Sequence, residues 1–251
     1  MRFRTTLSIV APVVLTLGLA ACGGGDTEDR LDVTDPVVRF VQASPLATGV
    51  TLYRADVAQP DATNTTYGFA SDYFDIDTGV ADWSAKTATS TLGSVSIDPE
   101  RGTKYTIVSL AASATDNTVA LIVDPYNKTL TSDSTRLRLM NASYNAASVD
   151  LYMLPPNTDI NTVTAAPLIG ATAFKASGPL SGVDSTDIPA GTYQVTVTAA
   201  GTKTVLFNGQ LSFAANKDLL LLTVPDATQP GGINVLVKTE GVAGAATVTP
   251  L

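Results

Sequence analysis

Histidine is absent from this chain, and cysteine and tryptophan occur once each. Without imidazole there is no histidine general base, no histidine-based triad and no typical zinc or copper site. One cysteine cannot close an internal disulfide. Aromatic residues make up only 6% of the sequence, so broad stacking platforms are scarce. Basic residues are also few, 15 against 23 acidic, for a formal charge of −8. A chain of that sign lacks the basic stripe that nucleic acid requires, and it is not drawn to anionic lipid headgroups. The commonest catalytic side chains are missing, and the sequence reads as a non-enzyme with no cofactor. An enzyme working on carboxylates alone would need two of them across a cleft.

The single cysteine closes an uncharged run. After "MRFRTT" comes "LSIVAPVVLTLGLAA", then Cys22, then "GGGDTEDRLDVTDP". A positive start followed by a short apolar stretch is a secretory leader. A comfortable membrane span needs about 20 apolar residues, and Pro12 and Gly18 interrupt this one. Leu19-Ala20-Ala21-Cys22 resembles the bacterial lipobox, which implies cleavage after Ala21 and a diacylglycerol on Cys22. Each buried methylene contributes roughly 0.8 kcal/mol, so two or three acyl chains anchor durably. Loss of Arg2 and Arg4 with the leader takes the charge from −8 to −10. Gly23 stands where the enteric sorting rule places Asp for inner-membrane retention, so outer-membrane delivery is expected. The division is thus a lipoprotein leader over 1–21 and a lipidated, flexible tether over 22–36. As a coil the tether reaches roughly 20 Å.

The remainder repeats itself. "VRFVQAS" (38–44) aligns with "LRLMNAS" (137–143), and "GVTLYRA" (49–55) with "SVDLYML" (148–154), both at an offset of 99. "FDIDTGVADW" (74–83) aligns with "TDIPAGTYQV" at an offset of 112 and "GSVSI" (93–97) with "GQLSF" at 116. "GTKYTIV" (102–108) and "VALIVD" (119–124) align with "NKDLLLL" and "INVLVK" at 114. Short alternating runs between Gly, Pro, Asn and Asp predict β-strands. In copy one they fall near 37–43, 49–55, 66–70, 79–86, 93–97, 104–110 and 118–123. In copy two they fall near 135–142, 148–154, 171–175, 191–199, 204–213, 218–224 and 232–239. The expectation is an all-β chain of two tandem β-sandwiches, over 37–125 and 135–240, set end to end. Residues 241–251 read as a flexible tail.

"VRFVQASPLATGVTLY", "DIDTG", "RGTKYTIV" and "IPAGTYQVTV" (188–197) resemble the domain of unknown function 4397 family. The resemblance implies exported, often lipid-anchored, immunoglobulin-like modules with no established activity and no catalytic residues to carry over.

Several residues stand as candidates. Tyr53 and Tyr152 match across the copies and face away from Leu52 and Leu151, so they could bind a ligand or cover a sheet edge. Tyr73, beside Phe74 and near Trp83, could stack on a sugar ring. Trp83 itself aligns with Val195, a core position. Asp72, Asp75, Asp77 and Asp82 crowd one loop and could hold calcium, although the later acidic ligand is missing and Gly79 serves the turn. Arg39 and Arg138 match and read as intradomain anchors. The leading functional reading is a non-catalytic, lipid-anchored envelope protein with a structural, adhesive or protein-binding role. The alternative is a carbohydrate- or solute-binding surface module. Its partners would be the membrane, through Cys22, and an envelope polymer or protein.

Overall fold

The computed structural model describes residues 34–125 and 133–251. The leader, Cys22 and most of the tether lie outside the described residues. The chain is all-β, and two three-residue 3-10 turns are the only helices described. The first half contributes β1 (Val37–Gln42), β2 (Thr51–Arg54), β3 (Val57–Ala58), β4 (Phe74–Asp75), β5 (Ala81–Lys86), β6 (Thr91–Ile97), β7 (Lys104–Ala111) and β8 (Asn117–Asp124). The second half contributes β9 (Ser134–Asn141), β10 (Ser148–Leu154), β11 (Ile169–Ala173), β12 (Ser177–Gly178), β13 (Thr186–Pro189), β14 (Gly191–Ala199), β15 (Val205–Phe213), β16 (Asp218–Pro225) and β17 (Ile233–Thr239). Two short strands follow, β18 (Ala246–Thr247) and β19 (Thr249–Pro250). The segment near 66–70 is not a strand; Thr65 and Ala70 make isolated bridges only.

Each half is a pair of sheets. The first has β4-β1-β7-β8 facing β3-β2-β5-β6. Alternation sends Val38, Phe40, Tyr105 and Ile107 inward to meet Leu52, Trp83, Ala85 and Ile97. The second has β12-β9-β16-β17-β18, with β13 also on β9, facing β11-β10-β14-β15-β19. Its core holds Leu137, Leu139, Leu219 and Leu221 against Val149, Leu151, Val195 and Val197. In both halves the opening strand pairs parallel with the long central one, β1 with β7 and β9 with β16.

Strand pairing sets the repeat register. Leu52 opposes Ala85 and Leu151 opposes Val197, which makes Trp83 the counterpart of Val195 at an offset of 112. Trp83 opposes Val95 and Val195 opposes Gly209, so β6 and β15 correspond at 114, not 116. Ile107 opposes Leu121 and Leu221 opposes Val237, so β8 and β17 correspond at 116, not 114. A bulge sits at the same place in both hairpins, between Ala85 and Lys86 and between Val197 and Thr198.

Two expectations are corrected. The halves are not set end to end. A third apolar cluster joins Val41, Val108, Leu110 and Ile122 of the first to Met140, Leu220, Leu222 and Leu236 of the second. The outer faces of the β1/β7/β8 and β9/β16/β17 layers therefore pack on each other, giving four stacked sheets. This is why β7 and β16 are buried at every position. The tail does not fray either. β18 pairs with β17 and β19 with β15, and Val248 between them is 2% exposed, its side chain in the second core. Gly244 and Ala245 donate their amides to the carbonyls of Ala70 and Gly68, tying the tail to the first half.

Candidate functional site

The densest group of charges lies at the junction of the halves. On β7, Lys104 leads the row that continues through Thr106, Val108 and Leu110. Its β16 counterpart, Asp218, leads Leu220, Leu222 and Val224. These equivalent positions meet each other, Lys104 Nζ lying 3.2 Å from Asp218 Oδ2. The junction thus has a near-twofold character, like an isologous interface within one chain. Around it Lys104 also reaches Glu240 at 3.2 Å, and Arg136 lies 2.9 Å from Asp124 and 3.7 Å from Asp218. Arg138 lies 3.4 Å from Asp124, and Ser185 donates to the same carboxylate at 2.9 Å. Lys238 of β17 reaches Asp72 across the junction at 2.9 Å.

Every carboxylate here faces a cation. Burial would raise the Asp124 carboxyl, but Arg136 and Arg138 outweigh it and hold the group below its ordinary value. Burial would lower Lys104, but Asp218, then Tyr73 and Glu240, outweigh it and raise the ammonium. Neither group is poised near neutrality to move a proton. The cluster is a closed set of charges that clamps two layers together.

The three candidate tyrosines are not brought together. Tyr53 is half-buried on the outer face of β2, with Lys86 Nζ 4.9 Å above its ring and Lys86 bound to Asp56 at 2.6 Å. Tyr152, on β10, is 5% exposed under Lys203, whose Nζ lies 4.2 Å from the ring centre and donates to the phenol at 3.1 Å. Tyr73 belongs to the junction, with Arg39 4.6 Å and Lys104 5.0 Å over its ring and Thr106 beside its hydroxyl. Burial raises that phenol. A ring face that carries a cation is closed to a sugar, and Tyr152 is buried besides. Trp83 is 0% exposed in the first core.

The acidic loop is dispersed. Asp72 binds Lys238, and Asp77 sits 3.6 Å from Arg54. Among the described residues, no three His, Cys, Asp or Glu side chains gather as a metal site. Arg138 anchors its own half as expected, donating to the carbonyls of Pro179, Leu180 and Val183, and it crosses the junction as well. Arg39 donates to Thr106 at 2.9 Å.

A further concave feature lies at the edge of the second half. The edge strands β11 and β12 border an apolar cleft of about 330 Å³ lined by Leu168, Ile169, Thr172, Pro179 and Leu180. Leu180 is 68% exposed at its mouth. The small-residue run "ASGPLSG" (176–182) is the trace it leaves in the sequence. Gly178 shapes the floor, because a Cβ there would lie 2.3 Å from Ile169 Cγ2 and 2.7 Å from Thr172 Oγ1. Gly178→Ala is therefore expected to destabilise by about 1–3 kcal/mol through overpacking, read as a lower urea midpoint at unchanged slope.

Comparison with known proteins adds three findings. No curated protein matches the chain. Among solved structures the chain is similar to CBMbc (family CBM26) from Eubacterium rectale Amy13K, in complex with maltoheptaose. That similarity is 8% in sequence over 86% of this chain and 98% of that one, with a TM-score of 0.24, too slight to bear on fold or ligand. The family model described as "Domain of unknown function (DUF4397)" matches residues 36–152. These residues span the whole first sandwich, then β9 and most of β10 of the second, and over that stretch the chain is similar to the DUF4397 family.

Proposed function

We propose that this chain is a non-catalytic, lipid-anchored envelope protein that presents a rigid body for contact with another macromolecule. The observation that carries this reading is the fate of its buried charges. Asp124, Asp218, Arg136, Arg138 and Lys104 pair with one another, across the junction in all but the Arg136–Asp218 contact. What faces outward is sheet edge, the apolar cleft and dispersed acidic side chains. Such a surface suits protein contact better than bond-making.

The anchor rests on Leu19-Ala20-Ala21-Cys22, and Gly23 supports delivery to an outer membrane. Cys22→Ser is expected to move the protein from the membrane fraction to the soluble fraction. Intact mass of the wild-type chain should begin at Cys22 and carry acyl chains. An unmodified thiol there would remove the anchor from the proposal.

Crosslinking on intact cells, followed by mass spectrometry, tests the contact role. The same neighbour should recur in wild type and be lost when the contacting surface is charged. A glycan array separates the alternative: the covered rings of Tyr73 and Tyr152 predict no binding, and reproducible sugar hits would favour a carbohydrate-binding module.

A further inference from the structure

The two halves treat equivalent sheet edges differently. In the second, β15 is covered by the chain's own β19, with Gly209 opposite Pro250 and Gln210 opposite Thr249. The Leu251 amide also donates to the Asn208 carbonyl. The outward-bonding residues of β15 are therefore 208 and 210. At the offset of 114 their counterparts on β6 are Ser94 and Ser96, and both are exposed. β6 ends its sheet, and no strand among the described residues lies beyond it.

Other edges are short, irregular or closed. β3, β4, β12, β18 and β19 have two residues each. β11 is broken by Ala171 at a φ of 50°. β8 folds over β6, so that a Cβ on Gly93 would lie 2.8 Å from Val119 N, and residues 181–182 bond to Val123. β6 is seven residues long and reads TLGSVSI, with no charge, no proline and no lysine. Charges and proline are among the usual devices that keep an edge from pairing, and the one such device on β6, a bulge, sits at its N-terminal end near Leu92.

We infer that β6 is a pairing edge for β6 of a second copy of this chain. A twofold centred on Val95 is geometrically regular. It sets Ser94 opposite the partner's Ser96 as a hydrogen-bonded pair, and Val95 opposite its own copy as a close, non-bonded pair. Val95 packs on the first core, so the pair extends that core across the dimer. The register avoids the bulge near Leu92. This pairing does not depend on what other macromolecule the body meets. Both copies are acidic, so the dimer strengthens as salt screens them.

The test is sedimentation of the full-length chain in density-matched detergent at several concentrations and salts. Wild type is expected to give a dimer that tightens with salt. Ser96→Lys places a charge on the edge and should weaken it at least tenfold. Ser96→Pro removes an outward amide that the β5–β6 ladder does not use, and it should give monomer with an unchanged circular dichroism spectrum. Val95→Cys should form a disulfide-linked dimer under mild oxidation, because directly opposed non-bonded positions fall within disulfide range. Wild type, as the control for Cys22, should not. A wild type that stays monomeric overturns the inference, as does a dimer that survives both Ser96 variants. So does an edge occupied instead by a strand of a different protein.

Discussion

Asp218→Ala is expected to cost about 3–5 kcal/mol, because it strands buried cations. Asp218 is 4% exposed and lies between Lys104 and Arg136, both also buried. Removing the carboxylate leaves Lys104 to the partly exposed Glu240 and the Tyr73 ring, and takes from Arg136 one of its two buried carboxylates. The double variant Lys104→Met/Asp218→Leu removes both charges of one contact and fills the space with apolar atoms. It should be much closer to wild type, since apolar replacement of a buried pair is often neutral or stabilising. The difference is a coupling energy that a double-mutant cycle reads directly. Two probes sharpen the test. Trp83 is the sole tryptophan and lies in the first core, so its fluorescence reports that half, whereas circular dichroism reports both. In wild type the two urea transitions should coincide, as one cooperative unit. In Asp218→Ala they should separate, because the junction that couples the halves is weakened. Coincident transitions and a cost below about 1 kcal/mol would show that the charges do not hold the layers.

The same clamp sets the pH response. Asp124 is held below its ordinary value of about 3.9, so its contribution is complete above that value and is lost as pH falls through the native one. Lys104 is raised above its ordinary value of about 10.4. Its contribution is complete below that value and is lost as pH rises through the native one. Stability from these two groups should be flat from about pH 5 to 9 and fall on both sides. Urea midpoints across that range check it, and a maximum confined near neutrality would contradict it.

The strands and the duplication were legible because alternation has a period of two. The same period explains the errors. The offsets read for β6 against β15 and for β8 against β17 were each wrong by two residues. A slip of two keeps every inward side chain inward, so the apolar pattern cannot detect it; only a slip of one would show. Hydrogen-bond registers restore offsets of 99, 112, 114 and 116, which grow along the chain as loops lengthen. The junction was missed for another reason. Lys104, Arg136 and Asp218 look like solvent-facing charges when each strand is read alone, and Arg138 reads as an anchor within its own half. Their pairing appears only when two sheets meet. The available signal was "DLLLLTV" in β16, where both faces are apolar, as in strands covered on both sides. The tail was misread because its docking is mostly backbone pairing, which leaves no side-chain trace, and the one buried valine in "AATVTPL", Val248, has no period.

Trp83→Ala is the other large effect expected, about 3–5 kcal/mol, with a cavity in the first core. The repeat shows why the ring is needed there. Trp83 and Gly93 in one half correspond to Val195 and Phe207 in the other. Each core buries one large ring on this hairpin, at a different site, while Tyr193 and Phe213 pack partly buried on the second. Gly209 leaves room for the second ring, since a Cβ there would lie 2.8 Å from Phe207 Cε1. Gly93 leaves room for β8 instead, with Val119 N at 2.8 Å. Trp83→Val, which installs the residue of the other half, should therefore remain costly. Adding Gly93→Phe should make it worse rather than restore it, because the space beyond Gly93 is filled by backbone. Trp83→Phe should cost far less. It keeps most of the ring volume and removes the indole N–H, which is buried with no hydrogen-bond partner among the described residues. Circular dichroism in urea measures the series. Rescue of Trp83→Val by Gly93→Phe would mean that the two cores are interchangeable and that β8 yields to a side chain, contrary to the packing at Val119.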